Sequence, residues 1–220
     1  MSTGHYFDPV PRTSSARRTV TLSLPDLSVE LITDRGVFSA VRVDSGTKVL
    51  LLEAPDPPDH GAVLDLGCGY GPIAVVLARR APGASVWAVD VNERARALTA
   101  LNAAAAGLTN VSVAAPEEVP PELRFAAIYS NPPVRIGKAA LHQLLRRWLD
   151  RLEPDGVAHL VVNKNLGADS LATWMADGLG WAVDRQVSRV GYRVLTVRPT
   201  DHPPGPAAAA HPRDWQRPVP

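Results

Sequence analysis

Apolar positions recur along this chain in two rhythms, and the change between them falls near residue 60. Upstream, Val20, Leu22 and Leu24 alternate with Thr19, Thr21 and Ser23, the period-two signature of a half-buried strand. Leu27 to Ile32 and Val37 to Val43 read as further strands, separated by the Pro25-Asp26 and Asp34-Arg35-Gly36 turns. Gly46-Thr47 opens a short helix through Leu50 to Glu53, with Thr47 as the expected N-cap, and Pro55-Asp56-Pro57-Pro58-Asp59 closes the unit. Residues 1–59 are therefore expected to form a small β-rich lead-in attached to the main domain.

Downstream the pattern becomes strand, helix, strand, helix. Strands are expected at Ala62–Leu66, Val86–Val89, Val111–Ala114, Ala126–Tyr129 and Val157–Val162, with two closing strands at Ala182–Val187 and Val194–Val197. Helices are expected after the first glycine-rich turn (Ile73–Ala78), from an Asn92 cap through Ala106, at Ala139–Leu152 and at Ser170–Ala176. Strand runs that are apolar on both faces, alternating with helices, specify an α/β domain over 60–198. Its sheet should be Rossmann-like, doubly wound, seven-stranded and mostly parallel.

Composition narrows the class. Two hundred and twenty residues fit one ordinary domain, and 45% hydrophobic content suffices for a buried core. No apolar run approaches the roughly 20 residues of a membrane span. The first residues show no secretory h-region, and a single cysteine excludes a disulfide framework or a cysteine-based zinc site, so a cytoplasmic protein is expected. From Pro199 onward 7 of 22 residues are proline, and this Pro/Ala-rich tail is expected to be disordered. The net charge of +1 conceals an excess in the third quarter, where residues 121–200 carry 11 basic and 7 acidic side chains. That excess fits either a solvated helix face or a surface for a polyanion.

The chemistry begins at Val63-Leu64-Asp65-Leu66-Gly67-Cys68-Gly69-Tyr70-Gly71-Pro72, where a strand enters, three glycines turn the chain and a helix leaves. Glycine allows the sharp bend and the close approach of a ligand to the backbone. A dinucleotide fingerprint reads G-x-G-x-x-G, whereas here the spacing is G-x-G-x-G and Asp65 stands two residues ahead. A carboxylate there opposes a pyrophosphate and suits a cationic ligand. Asp90, ending the next strand, is placed to accept from two ribose hydroxyls. An adenosyl ligand without phosphates satisfies both carboxylates.

After the fourth strand comes Ser130-Asn131-Pro132-Pro133-Val134-Arg135. The prolines end the ladder and hold Asn131 extended, presenting its amide and the Pro132 carbonyl rigidly at the mouth of the sheet. Two such acceptors can fix an exocyclic amine or carboxamide nitrogen and stabilise the positive charge that grows on it as it attacks an electrophile. Neither a metal nor a covalent nucleophile is required.

DLGCGYG followed by AVDVN resembles the nucleotide-binding half of class I S-adenosylmethionine-dependent methyltransferases, over roughly Val37 to Val197. The stretches NPPVRIGK, FSAVRVDSGTKVLL and GYRVL resemble the methyltransferase small domain family, whose best-known members, the RsmC-type enzymes, modify N2 of guanine in 16S ribosomal RNA. The resemblance implies the class I methyltransferase fold and S-adenosylmethionine as cofactor. It implies Asp65 near the methionine portion, Gly67, Cys68, Gly69 and Gly71 around it, Asp90 and Val91 at the ribose, and Glu117 as the one carboxylate in the adenine region. It further implies Asn131 and Pro132 as catalytic, with Asn131 also facing the cofactor. Pro133, Val134, Arg135, Lys138, Phe38 and Tyr192 are implied on the substrate side. Val134 stands where the family's N-P-P motif carries an aromatic, so Arg135, Tyr192 or Phe38 is expected to cover the base face.

Ribosomal RNA or the small ribosomal subunit is the implied partner, with phosphates approaching Arg135, Lys138, Arg146, Arg147, Arg151 and Lys164. A protein glutamine or small-molecule acceptor, and an inactive module binding the cofactor or RNA, are the competing readings. An NAD-dependent oxidoreductase is disfavoured by the glycine spacing. Cys68 has no neighbouring histidine to activate it, and His5, His60, His142, His159, His202 and His211 show no paired metal spacing, so no metal is expected. Trp148 with Leu144, Leu145 and Leu149 has core spacing, and Trp174 and Trp181 should pack around the last helix and strand. Monomer and homodimer both remain open.

Overall fold

The computed structural model describes residues 13–200, so the expected disordered tail, apart from Pro199 and Thr200, lies outside the described residues, as do His5, His202 and His211. Strands β1 (Arg18–Ser23) and β2 (Ser28–Thr33) pair antiparallel with Ser23 opposite Ser28. The alternation works as anticipated: Val20, Leu22, Val29 and Leu31 are buried while their neighbours face outward.

The stretch 37–43 is not a strand. Its chain turns repeatedly, Ser39 adopts φ +55°, and Ser39 Oγ donates to the Arg42 carbonyl at 2.7 Å. Val37 and Val43 are buried but Val41 is 70% exposed, so the apolar residues do not share one sheet face. Helix α1 (Ser45–Glu53) then begins one turn earlier than expected. Its N-cap is Asp44, whose carboxylate accepts from Gly46 N at 2.7 Å and Thr47 N at 3.2 Å, and not Thr47.

The main sheet has the order β5-β4-β3-β6-β7-β9-β8. It is built from β3 (Ala62–Leu66), β4 (Ser85–Val89), β5 (Val111–Ala114), β6 (Phe125–Ser130), β7 (Leu152–Asn163), β8 (Ala182–Arg189) and β9 (Tyr192–Arg198). The first five strands in that row are parallel, and β9 runs antiparallel to both its neighbours. Helices α2 (Pro72–Arg80), α3 (Glu93–Ala105), α4 (Lys138–Leu149) and α5 (Ala168–Thr173) complete the layers. This is the seven-stranded, mostly parallel α/β architecture that the alternating pattern specified.

Two cores result. One joins α2 and α3 to β1, β2 and α1 through residues such as Val76, Leu98, Leu31 and Leu50; the other packs α4 and α5 through Leu145, Trp148 and Leu171. Among the described residues no helix is long and apolar enough to cross a membrane.

Helix α4 stops at Leu149 instead of Leu152, because Arg151 is drawn inward. Its guanidinium lies over the Phe125 and Trp148 rings and donates to the Leu123 and Pro120 carbonyls. Leu152 therefore already pairs with Phe125, and β7 starts five residues before Val157. The Pro154-Asp155-Gly156 stretch is absorbed where the register shifts between Phe125 and Ala127. Helix α5 ends at Thr173, and a π-helical turn, Trp174–Gly178, follows it.

Candidate functional site

The chain moves outward from β3 to β4 and β5, then returns to the other side of β3 as β6. Ligands in open α/β sheets bind at such a reversal, beyond the carboxyl ends of the strands. Leu66 and Ser130 are paired across it, and Ser130 Oγ donates to the Leu66 carbonyl at 2.7 Å. The next residue on each strand is Gly67 and Asn131. The two motifs thus leave the sheet side by side.

A cavity of about 420 Å³ opens here, a size suited to a nucleoside-sized ligand. Of the residues singled out from the sequence, Gly67, Gly69, Asp90, Val91, Asn131, Pro132, Pro133, Val134, Arg135, Phe38 and Tyr192 line it. Cys68 lines a small adjoining recess instead. Asp65 and Gly71 line neither space, and Lys138 opens α4 away from the lining. Glu117 is exposed and outside the cavity, whose wall in that region is Pro116. Asp44, Asn92, Leu144, Trp148, Val161, Asn163 and Leu166 line the cavity as well and carried no functional signal in the sequence. Trp148 is both core and wall.

The glycine loop is held from below. Gly67 N and Cys68 N donate to the Val89 carbonyl at 2.8 and 3.1 Å, and Thr99 Oγ1 donates to the Gly69 carbonyl at 2.9 Å. Gly71 has φ +89°, and a Cβ there would lie 2.9 Å from Thr99 Cγ2. Only glycine fits that corner. Gly67 and Gly69 also have positive φ but face open space, so a ligand can approach their backbone.

Asp90 ties the loop to β4. Its Oδ2 accepts from Gly69 N and its Oδ1 from Asn92 N, each at 2.9 Å, which leaves lone pairs on both oxygens for hydroxyl donors. Burial raises its pKa above the ordinary carboxylate value despite those two bonds. Asp65 is fully buried. Its Oδ2 accepts from Ala74 N, in the first turn of α2, at 2.9 Å, while its Oδ1 has no hydrogen-bond partner among the described residues. Desolvation, with a smaller contribution from Asp90, pushes its pKa up to about 8. Burial also pushes the Cys68 thiol up, so it stays protonated and is no nucleophile.

Asn131 is anchored by both amide hydrogens. Nδ2 donates to Asp44 Oδ2 at 2.8 Å and to Thr47 Oγ1 at 3.2 Å. An ionised carboxylate only accepts, so the amide nitrogen must face Asp44 and the amide oxygen is left to accept. The Pro132 carbonyl accepts from Val134 N at 2.8 Å and keeps its second lone pair. Among the described residues no cluster of histidine, cysteine, aspartate and glutamate could hold a metal ion.

The residues present fit an adenosyl sulfonium ligand. An orphaned buried carboxylate oxygen lies behind a glycine loop open on its ligand side, and a second carboxylate with spare acceptor capacity ends the adjacent strand.

Comparison with known proteins points to a methyltransferase family. The chain is 35% identical over 169 residues to the uncharacterized Bacillus subtilis protein YbxB, covering 76% of this chain and 84% of that one. It is 38% identical over 151 residues to the ribosomal RNA small subunit methyltransferase C of Pseudomonas aeruginosa, covering 66% of this chain and 45% of the relative. A T. thermophilus 16S rRNA guanine-N2 methyltransferase, solved with AdoMet and guanosine, superposes with TM-score 0.66 at 26% identity. That match covers 86% of this chain and 52% of the other. The chain thus spans about half the length of those two rRNA methyltransferases. The methyltransferase small domain family matches residues 28–196, nearly all of the described protein, and it is to this family that the chain belongs.

Proposed function

We propose that this protein is an S-adenosylmethionine-dependent N-methyltransferase whose acceptor is the exocyclic N2 of a guanine in 16S ribosomal RNA. The observation that carries the reading is the anchoring of Asn131. Its two amide hydrogens are committed to Asp44 and Thr47, so its oxygen is an acceptor in the cavity shared with the glycine loop and Asp90.

When bound, S-adenosylmethionine supplies an electrophilic methyl group on a sulfonium. Asp90 would accept the ribose hydroxyls, the backbone of Gly67 and Gly69 would face the ligand, and Asp65 would stand behind the glycine loop, where a nearby sulfonium would favour its ionised form. Asn131 Oδ1 and the Pro132 carbonyl accept the two N2–H bonds, orienting a nitrogen whose lone pair is otherwise delocalised into the ring. They would also stabilise the positive charge on that nitrogen as its bond to the methyl carbon forms and the methyl's bond to sulfur breaks, leaving a neutral thioether. The methylated nitrogen then loses one proton to solvent. Phe38, Arg135 and Tyr192 line the same cavity and offer flat or cationic faces to the base. A guanine must be unpaired or flipped to enter. Ribosomal RNA as acceptor implies action in the cytoplasm.

Calorimetry with S-adenosylhomocysteine tests the cofactor half. Asp90→Ala and Gly69→Arg should abolish detectable binding, and normal binding by both would refute it. Asn131→Ala should bind the cofactor product as the wild type does and lose roughly 100-fold or more in turnover. Nucleoside mass spectrometry of 16S rRNA from cells lacking the protein tests the acceptor: one N2-methylguanine should disappear. An unchanged rRNA profile, with labelled methyl groups appearing on a protein or metabolite, would reassign the acceptor.

A further inference from the structure

The Asp44 carboxylate does two jobs through one oxygen. Asp44 Oδ2 accepts from Gly46 N at 2.7 Å and Thr47 N at 3.2 Å, which caps α1, and from Asn131 Nδ2 at 2.8 Å, across 87 residues of sequence. Thr47, in the first turn of the same helix, supplies the second acceptor for that amide at 3.2 Å. The helix start is itself immobilised. Gly46 is buried against the Tyr192 ring, which a Cβ at Gly46 would approach to 2.7 Å, and Tyr192 belongs to β9 within the main sheet.

From this geometry we infer that Asp44 is a positioning residue: it fixes the amide of Asn131 so that Oδ1, and not the amino group, faces the acceptor nitrogen. The physical need is specific to an amide. The two ends of an asparagine side chain are nearly the same shape, and rotation by half a turn exchanges an acceptor for two donors. Two donors aimed at an N–H group would repel it and oppose the growing positive charge. Asp44 Oδ2 removes that ambiguity because the Gly46 and Thr47 N–H groups already hold it as an acceptor. A hydroxyl, such as Thr47 supplies, accepts or donates equally well and cannot enforce the orientation alone. The α1 segment is thereby part of the active-site frame and not merely a covering element.

The kinetic arm of the test rests on the methyl-transfer reading, and a spectroscopic arm does not. Asp44→Ser retains a good N-cap for α1 but is too short to reach Asn131. It should keep the wild-type melting temperature within a few degrees and keep S-adenosylhomocysteine affinity. Its kcat for RNA methylation should fall about 100-fold, with KM for RNA changed far less, as expected when a reacting group is misplaced by an ångström or so. Asp44→Asn, whose oxygen can take the same three hydrogen bonds, should recover most of that loss. Turnover by Asp44→Ser close to wild type, or an Asp44→Asn variant no better than Asp44→Ser, would overturn the assignment. Independently, the side-chain amide resonances of Asn131, identified by their disappearance in Asn131→Asp, should be slow to exchange in the wild type and fast in Asp44→Ser. Unchanged exchange would overturn it too. A wild-type protein without methyl transfer would sink the proposed function and leave this second arm to decide the role of Asp44.

Discussion

Asp65 carries a desolvation cost beneath the glycine loop. It is enclosed, one oxygen has no partner, and the single backbone bond from Ala74 does not offset desolvation. Its pKa of about 8 in the folded protein stands well above the ordinary carboxylate value of 3.8. The unfolded chain therefore releases this proton near pH 4 while the native state holds it until about pH 8. Between those limits the native state binds more protons, so the Asp65 contribution lowers stability as pH rises through the window. Asp65→Asn keeps an acceptor for Ala74 N and cannot ionise. Thermal melts should show the variant gaining on the wild type steadily from pH 5 to pH 8.5. A difference independent of pH would show that Asp65 is ionised throughout. The places of Asp65 and Asp90 beside the glycine loop were legible because their distance from the glycines is set along one βα unit. Asp44 was not, since its partner Asn131 is 87 residues away and only the fold brings them together.

At the scale of elements, the buried strands and α2 and α3 could be read with little error, because runs apolar on both faces have few alternatives in a chain this size. The misreadings occurred where a single side chain overrode periodicity. Arg151 ends α4 by bonding to the 120–123 loop, and nothing in the spacing of Leu145, Trp148 and Leu149 announces that. The 37–43 stretch alternates well enough to pass as a strand yet turns repeatedly and pairs with no strand among the described residues. Asn102 is a more consequential case. It reads as one more residue in the alanine-rich α3, but it is buried, and its amide donates to the Ile32 and Tyr70 carbonyls while accepting from Ile32 N, all at 2.8 Å. One side chain thus serves as a hydrogen-bonding partner for the end of β2 and fastens the glycine loop at the same time. Asn102→Ala removes three buried bonds and strands their partners, at a cost of about 2–4 kcal/mol. Denaturant melts should show that loss, and cofactor-product affinity should weaken with it. A loss under 1 kcal/mol would mean that water replaces the amide.

Across the whole molecule the lead-in and the parallel sheet share one core, since Val20, Leu22, Leu31 and Leu50 pack in the same cluster as Val76, Ala95 and Leu98. Polar ties reinforce it at several points. Arg80 at the end of α2 grips Asp26 with two bonds at 2.8 and 2.9 Å and also donates to the Leu51 carbonyl, and Tyr129 on β6 donates to the Pro55 carbonyl. Arg94 and Asn92 on the α3 side bond to the carbonyls of Arg35 and Gly36. Such interlocking argues that residues 13–59 and 60–198 unfold together. Calorimetry of the full chain should give one transition whose van't Hoff and calorimetric enthalpies agree. A protein beginning at residue 60 should be aggregation-prone, because the outer faces of α2 and α3 would then be bare apolar surface. Two resolved transitions, or a well-folded 60–198 fragment that binds S-adenosylhomocysteine normally, would show that the lead-in merely decorates the sheet. The acceptor side would still distinguish the two cases. With α1 gone, Asn131 loses both of its anchors, so even a folded fragment should bind the cofactor product and yet fail to catalyse methyl transfer.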